Sequence, residues 1–190
     1  MTTELPLDEV RRLSPAQLVA RFESLDAPPI EEMNGEYRAE LLTQPHLAAT
    51  LLGYATVSNP LSPWLSKAFR PLDAETGRGY NTFRRLGSVV QRYPMITRIA
   101  PSRYDGKPAY TLIYRAFHSL CGEIHMVDEV RRLSPGVYLG IGTFGITDTQ
   151  RRLPRPFLLE GPNHDYRGDI GTARAGFTPG KREIPGGNHA

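Results

Sequence analysis

The sequence has little cysteine and no long apolar run, and each shortage excludes a class of protein. The single cysteine, Cys121, cannot form an internal disulfide, and without a second cysteine a thiolate zinc site is also excluded. The longest mostly apolar stretch, residues 46–57, is too short to cross a bilayer. The first residues carry acidic side chains and no apolar core of a secretory signal. We therefore expect a cytoplasmic protein with no membrane partner.

Signatures of metal and cofactor binding are also missing. The five histidines show no HxH or HxxxH spacing. There is no P-loop and no GxSxG motif, and the glycine-rich run at 140–145 lies inside a strand pattern instead of preceding a helix. We expect neither a metal nor a cofactor.

The net charge of +3 is unevenly distributed along the chain. Residues 1–66 contain four arginines and nine acids, whereas residues 67–190 contain 19 basic and 11 acidic side chains. A basic half could attract nucleic acid or anionic ligands. Its arginines, however, lie mostly in isolated pairs, with no zinc-finger, RNP or recognition-helix pattern beside them. We expect a small-molecule ligand and no nucleic acid, and a homodimer stays open.

The length of 190 residues and the 39% hydrophobic content fit one domain. We expect this domain to span residues 1–162, followed by a Gly/Pro-rich tail at 163–190. The tail has too few apolar side chains to offset its own ordering entropy, so it should be mobile or held by another surface.

The first predicted element is an amphipathic helix, within a helical segment at about 8–26. Ser14 and Gln17 have the spacing of a capping box with Pro15 at the first helical position, and Leu18 and Phe22 share one face. A second helix is predicted at 46–52, after a proline. We expect these helices to pack against a larger β-structure.

From residue 80 onward the pattern changes to short segments rich in β-branched and aromatic residues. Strands are predicted at 80–85, 88–93, 95–100, 110–117, 123–132, 137–143 and 157–160. Short strands without helices between them indicate a mainly β, antiparallel meander that closes into a barrel or packs as a sandwich.

One octapeptide, DEVRRLSP, occurs at both 8–15 and 128–135. The flanking residues differ, since the first copy leads into a helix pattern and the second into a strand pattern. We interpret it as one peptide whose context decides its structure, and not as a domain repeat.

The strand predicted at 123–132 contains the strongest candidate for chemistry. One face carries Ile124, Met126 and Val130 with Asp128 between them, and in a barrel the apolar face points inward. Burial raises the pKa of a carboxylate unless a cation or hydrogen-bond donors compensate, and this is how a general acid or base near neutrality arises. The alternative, which is equally open, is that Asp128 forms a structural ion pair.

Other candidates lie on neighbouring segments. Tyr110 and Tyr114 share the face of the strand at 110–117 that is expected to line the lumen, and Gly140 and Gly142 share a face of a later strand. Those glycines leave space or allow close approach by another element. The full set of candidate ligand-binding residues is Trp64, Tyr110, Tyr114, His125, Met126 and Tyr138, and the candidate catalytic residues are Asp128 and Lys67.

Several short motifs resemble those of small bacterial proteins with a GxWxG motif followed by a domain of unknown function. The matching segments are 33–39, with Tyr37 and Ala39 in place of Trp and Gly, 64–69, with Ser66 in place of Gly, and 113–114, 128–132 and 156–159. The resemblance covers residues 20–160. It implies a lipocalin-like (calycin-type) barrel with a closed end and an internal small-molecule pocket, but it does not supply a reaction.

Two functions for such a pocket remain open. An enzyme would be a cofactor-independent isomerase, cyclase or lyase acting on a mid-sized apolar metabolite. Asp128 would be its acid or base, Lys67 the electrostatic partner, and Tyr114 and His125 the orienting groups. A ligand-binding or carrier protein would keep the pocket and use Asp128 in an ion pair, while an interaction protein using the basic half and the tail ranks third. We favour the enzyme because a carboxylate on an apolar face is costly to maintain without use.

Overall fold

The computed structural model describes residues 6–44, 58–59, 62–145 and 147–185. The helix predicted at 46–52 lies outside the described residues. Among the residues described, no helix has both the length and the apolar character needed to cross a membrane.

The described part of the chain forms short helices and long strands. The α-helices are α1 (Leu7–Val10), α2 (Pro15–Glu23) and α3 (Leu120–Glu123), with 3₁₀ turns at Ile30–Glu32, Tyr114–Ala116 and Gln150–Arg152. The strands are β1 (Gly35–Leu41), β2 (Ser58–Asn59), β3 (Ser62–Pro71), β4 (Thr76–Arg85), β5 (Ser88–Pro101), β6 (Pro108–Ile113), β7 (Val127–Ser134), β8 (Val137–Thr143) and β9 (Arg155–His164).

Eight of these strands close into an antiparallel barrel. From β3 to β9 each strand pairs with the next along the chain, β9 pairs with β1, and β1 pairs back with β3. The two-residue β2 pairs only with the start of β3. A mainly β, antiparallel barrel with short N-terminal helices is therefore confirmed, and the sandwich alternative is wrong.

The strand boundaries differ from the prediction at several places. The strand predicted at 110–117 ends at Ile113 and is followed by the 3₁₀ turn Tyr114–Ala116, and β4 and β9 are longer than predicted. The segments predicted at 88–93 and 95–100 form one strand, β5, in which Tyr93 has a φ of 54° and the pairing register with β4 shifts. The segment predicted at 123–132 begins pairing only at Val127, because Ser119 caps the short helix α3 by accepting a hydrogen bond from the Gly122 amide. The sequence shows a strand-like period there, but the local cap determines the backbone.

Alternation along the strands divides the apolar side chains between two faces. Large side chains such as Tyr110, Leu112 and Val130 form a cluster in the lumen. Their neighbours, including Leu139 and Leu158, belong to a second cluster on the outside of the wall. That outer cluster packs under α2.

Helix α2 forms where the sequence predicts it. Ser14 Oγ accepts a hydrogen bond from the Gln17 amide, and Gln17 Oε1 accepts one from the Ser14 amide, so the capping box is complete. Leu18 and Phe22 are fully buried against the barrel wall. Burying side chains of this size contributes roughly 1.5–3 kcal/mol each, so packing and not helix propensity keeps α2 in place.

A fully buried arginine, Arg131, joins α2 to the barrel. Projecting outward from β7, it bonds both carboxylate oxygens of Asp105 at 2.7 and 2.8 Å and donates to the carbonyl oxygen of Phe22 at 3.0 Å. Its guanidinium also lies 4.5 Å from the centre of the Phe22 ring. One side chain thus connects the helix, a strand and the β5–β6 turn.

The last described segment, residues 165–185, follows the outside of the barrel. Glu36 projects outward from β1 yet is only 2% exposed, and Arg167 Nε lies 2.9 Å from its Oε1. Two residues further on, Asp169 accepts a hydrogen bond from Arg70 at 2.9 Å. Ion pairs therefore hold this part of the tail against the wall.

A second attachment lies near the end of the described tail. Arg103 donates two hydrogen bonds of 3.0 Å to Glu129, which is 1% exposed, and one of 3.2 Å to the carbonyl oxygen of Glu183. Ile184 is buried against Ile113 of β6. The tail thus covers polar and apolar patches of the wall.

The two copies of the octapeptide adopt different structures. Residues 8–15 form most of α1, a turn and the N-cap of α2, whereas residues 128–135 lie almost entirely in β7. Asp8 has a side chain 83% exposed, and the side chain of its counterpart Asp128 is 4% exposed. Context therefore decides the conformation of this peptide, as the differing flanks predict.

Replacing the buried Arg131 should destabilise the fold strongly. We expect Arg131→Met to lower the free energy of unfolding by about 3 kcal/mol, because Asp105 keeps its charge and retains only the Lys107 amide and the Lys107 ammonium, 3.9 Å away. Hydrogen bonds from Arg131 lower the pKa of Asp105, so the stabilisation is present above about pH 4 and disappears as the pH falls through that lowered value. Urea unfolding at pH 7 and pH 3 measures both effects.

The matched control is Arg132→Met, since Arg132 is 45% exposed and pairs with Glu32 at the surface. We expect it to cost less than about 1 kcal/mol. Equal effects of the two substitutions would contradict the role given to Arg131.

Deleting the tail should lower the melting temperature. Removal of residues 166–190 exposes the apolar patch under Ile184, so we expect the free energy of unfolding to fall by about 2 kcal/mol. For a chain of this length, that loss corresponds to a decrease of roughly 4–8 °C in the melting temperature. Deletion of residues 186–190 alone keeps the contacts of Arg167, Asp169 and Ile184 and is the control. An unchanged melting temperature for the longer deletion would mean that the tail is a mere appendage.

Candidate functional site in the barrel lumen

The lumen is divided into a filled half and an open half. In the filled half, aromatic rings pack edge to face, with 5.5 Å between the ring centres of Tyr37 and Tyr138 and 5.4 Å between those of Phe69 and Tyr110. The other half encloses a cavity of about 270 Å³. The cavity reaches the surface beside Leu120, whose side chain is among the exposed large hydrophobic groups.

The cavity wall is mostly apolar, with polar groups concentrated in one part. Its larger apolar residues are Trp64, Phe83, Tyr93, Met126, Phe144 and Phe157. Its polar and charged residues are Gln44, Lys67, Asn81, Tyr114, Asp128 and Arg155.

Asp128 lies in the lumen, as the alternation along β7 predicts. It pairs in register with Leu112 on β6 and Gly142 on β8, and its side chain is 4% exposed. Lys67 enters the lumen from β3, on the far side of the barrel, and its Nζ lies 2.7 Å from Asp128 Oδ2. Lys67 is the cation that compensates the buried negative charge.

Tyr114 and Asn81 complete a closed hydrogen-bond network around this ion pair. Lys67 Nζ donates to Tyr114 Oη at 2.6 Å and to Asn81 Oδ1 at 3.0 Å. Tyr114 Oη donates to Asp128 Oδ2 at 2.8 Å and accepts from Asn81 Nδ2 at 3.2 Å. All three ammonium protons of Lys67 thus have acceptors, which makes the buried charge tolerable.

Two aromatic rings flank the Lys67 ammonium. Its Nζ lies 5.0 Å from the ring centre of Trp64 and 5.1 Å from that of Phe157. The negative ring faces attract a cation at these distances. Trp64 is also oriented by its Nε1, which donates to Asn81 Oδ1 at 3.1 Å.

The two glycines of β8 allow close approach by other side chains. A Cβ on Gly140 would lie 2.1 Å from the ring of Phe157, and one on Gly142 would lie 2.8 Å from Asp128 Oδ1. Of the two readings of these glycines, the structure therefore favours close approach by another element. Without Gly140 the Phe157 ring could not occupy its place beside Lys67.

One oxygen of Asp128 is left without a protein partner. Oδ2 accepts from Lys67 and Tyr114, but Oδ1 accepts no hydrogen bond from any described residue. Oδ1 lies on the side of Gly142, which also lines the cavity. It is therefore an acceptor available to a molecule in the lumen.

Tyr114 and Cys121, which also line the cavity, stay protonated near neutral pH. Burial, followed by the neighbouring Asp128, raises the pKa of Tyr114 well above its ordinary value. Burial likewise raises the pKa of Cys121 to about 12, so its thiol is not an activated nucleophile. Among the described residues, no group of three His, Cys, Asp or Glu side chains could hold a metal ion.

The structure brings together Trp64, Lys67, Tyr114, Met126 and Asp128 at the cavity. The other three predicted site residues, Tyr110, Tyr138 and His125, do not line it.

Tyr110 and Tyr138 face the lumen but belong to its filled half, where their hydroxyls donate to Thr97 at 2.9 Å and to Glu32 at 2.7 Å. His125 does not line the cavity. It precedes β7, where its φ of 52° breaks the strand alternation, and its Nδ1 lies 2.9 Å from Glu183 Oε1 in the tail.

Sequence reasoning missed Asn81, Phe157 and Arg155. Asn81 shares its face of β4 with Gly79 and Phe83, so no apolar pattern like that around Asp128 marks it. Phe157 and Arg155 alternate on β9, so a correct strand boundary would have placed both in the lumen.

The fold is similar to that of a solved protein from Thermomonospora curvata. The TM-score is 0.51 and the sequence identity is 19%, and the alignment covers 78% of this chain and 87% of that one. At this identity the likeness shows the fold alone. No family model and no curated protein matches the sequence. Fold and site together define a closed eight-stranded barrel with a polar cluster inside an apolar cavity.

Filling the space over Gly140 should disturb the site. In Gly140→Ala the new methyl group collides with Phe157, which must leave its place against Trp64, 5.7 Å away between ring centres. We expect a loss of about 1–3 kcal/mol in the free energy of unfolding. Because Trp64 is the only tryptophan, its emission should shift as well.

Gly180→Ala is the control, because a Cβ added at Gly180 would lie 3.5 Å from its nearest neighbouring atom, which is an ordinary van der Waals contact. A Gly140→Ala protein with unchanged stability and emission would show that Phe157 does not depend on the glycine.

Proposed function

We propose that the barrel binds a small, mostly apolar metabolite in its lumen and catalyses a cofactor-independent proton transfer on it, as an isomerase, cyclase or lyase. The observation that carries the proposal is Asp128 Oδ1, a carboxylate oxygen beside the cavity that accepts no hydrogen bond from the described residues. The resemblance to lipocalin-like barrels with an internal pocket agrees with this function.

The size and lining of the cavity define the ligand. A volume of about 270 Å³ is just below the ~300–1,000 Å³ of pockets that hold drug-sized molecules, so the ligand is compact. Aromatic and aliphatic walls favour an apolar body. The cluster around Lys67 and Asp128 favours a polar group of the ligand at that part of the wall, such as a carbonyl or hydroxyl.

The chemistry uses Asp128 as a proton carrier. A C–H or O–H bond of the substrate breaks, its proton moves to Oδ1, and the electron pair stays on the substrate. In an isomerase or cyclase the proton then returns to another atom of the same molecule, and in a lyase the electron pair forms a double bond while the leaving group departs with the proton, so no oxidant or reductant is needed. Lys67 and Tyr114 hold Oδ2 and fix the direction of Oδ1, and the ammonium stabilises negative charge developing nearby.

A non-catalytic carrier is the second candidate. It is favoured by the closed network in which Lys67, Asn81 and Tyr114 already satisfy one another and Asp128 Oδ2. A paired carboxylate is a weaker base than an isolated one. The carrier would use Oδ1 only to accept a hydrogen bond from its ligand.

Replacing Asp128 separates the two candidates. We expect Asp128→Asn to bind 2-octanone in the lumen but to lose the exchange of its α-protons in D₂O by about 10²–10⁴-fold, because an amide cannot accept the proton. Proton NMR measures the exchange, and thermal unfolding checks the fold of each variant.

Glu129→Gln is the matched control, because Glu129 is a buried, ion-paired carboxylate next in sequence that faces the outer wall. It should lose stability but keep the exchange rate. If wild-type protein and Asp128→Asn bind 2-octanone and exchange its protons equally, the carrier is the correct function.

A further inference from the structure

We propose that the molecule bound in the lumen is an apolar carboxylic acid whose carboxylate pairs with Arg155. The inference rests on the proposed function only in that the lumen binds a small molecule. It adds the chemical class of that molecule, and it concerns a residue outside the Lys67–Asp128 network.

The charges of the cavity do not balance. Three charged side chains line it, and two of these, Lys67 and Asp128, neutralise each other at 2.7 Å. Arg155 makes no ion pair with any acidic side chain in the described part of the chain, and no described residue other than Leu153 accepts a hydrogen bond from it. A ligand with one negative charge would therefore complete the site.

Burial makes it costly in free energy for the Arg155 guanidinium to lack a partner among the described residues. Its Nε is buried without a hydrogen bond, and its Nη1 reaches only the carbonyl oxygen of Leu153 at 3.4 Å. Burial lowers the pKa of the guanidinium. An anion bound there would compensate for the solvation that the buried Arg155 guanidinium has lost, since a buried charge is stabilised by pairing and hydrogen bonding.

Arg155 is also held in a fixed direction. Its guanidinium carbon lies 3.6 Å from the ring centre of Phe144, another residue of the cavity wall. Stacking on a ring leaves the in-plane N–H groups of arginine available for a planar, bidentate acceptor. A carboxylate is such an acceptor.

Other arginines with a buried, unbonded Nε differ from Arg155. Arg78 and Arg174 each form an ion pair with an acid of the barrel or tail. Arg98 has no ion pair among the described residues, but it alternates with Ile99, which faces the lumen, and so lies on the outer wall. Arg155 is thus distinguished by its place in the cavity, and Arg98 provides a natural control.

The register aligns Arg155 with Asp128. Asp128 pairs with Gly142, and Gly142 pairs with Arg155, so the three residues form one row across β7, β8 and β9. Two strand spacings place the Cα atoms of Asp128 and Arg155 about 10 Å apart. Gly142 has no side chain to block the space between them. A ligand with its carboxylate on Arg155 therefore presents a nearby carbon or hydroxyl to Asp128 Oδ1.

Octanoate and 1-octanol test this proposal on the full-length protein. They share a chain length and differ in charge, and binding of either beside Trp64 is followed by the emission of this single tryptophan. We expect wild-type protein to bind octanoate at least ten-fold more tightly than 1-octanol at pH 8. Arg155→Gln should weaken octanoate binding ten-fold or more, as expected for loss of hydrogen bonds to a charged group, and change 1-octanol binding less than two-fold.

Two further variants keep the result interpretable. Arg98→Gln should leave both affinities unchanged. Arg155→Lys keeps the charge but loses the bidentate geometry, so it should retain part of the preference for octanoate even if the glutamine variant folds poorly.

Each unfavourable outcome has a distinct meaning. If 1-octanol binds and octanoate binds no better, or if Arg155→Gln binds both as wild type does, the carboxylate inference is wrong while binding in the lumen stands. If neither probe changes the emission of wild-type protein, binding of small apolar molecules in the lumen is itself wrong, and the inference fails with it.

Discussion

The ion pair between Lys67 and Asp128 is the interaction on which the open half of the barrel depends. It joins β3 to β7 across the lumen, where an unpaired charge would cost several kcal/mol. Each charge compensates the desolvation cost of burying the other. Tyr114 and Asn81 satisfy the remaining lone pairs and protons, and the rings of Trp64 and Phe157 enclose the cation.

This arrangement explains why the lumen is open at one end. In the filled half, rings pack against rings and no space remains. In the open half, the side chains around the ion pair are fixed by hydrogen bonds, which constrain their positions independently of close packing. A polar cluster that is satisfied internally can therefore border a cavity without collapsing into it.

The sequence predicts much of the fold and part of the site. Strand alternation identifies Asp128 as an inward-facing carboxylate, and the capping box locates α2. Lys67 is also predicted as the electrostatic partner of Asp128, but no strand pattern shows that contact, because 61 residues separate the two and only the barrel closure brings them together. His125 is predicted on a regular strand, but the short helix capped by Ser119 occupies the start of that segment and His125 itself has a positive φ. The strand alternation therefore begins only at Val127.

The outer wall was harder to predict than the lumen. Glu36 and Glu129 are 2% and 1% exposed although they face away from the barrel interior. A strand pattern assigns such residues to solvent, but segments outside the strands change that assignment, the tail at Glu36 and the β5–β6 turn at Glu129. Buried acids on this wall therefore depend on arginines supplied from distant positions, Arg167 and Arg103.

The duplicated octapeptide has a consequence for folding kinetics. An unfolded chain contains two identical segments, 8–15 and 128–135, that could compete for the position between β6 and β8. Closing the loop from the first copy to β6 spans about 93 residues, against about 14 from β6 to the second copy, and this difference disfavours the first copy by about 1.7 kcal/mol. Nearness along the chain therefore favours the second copy at this position. A circular permutant that placed residues 8–15 beside β6 would remove that advantage and allow the wrong copy to enter the barrel.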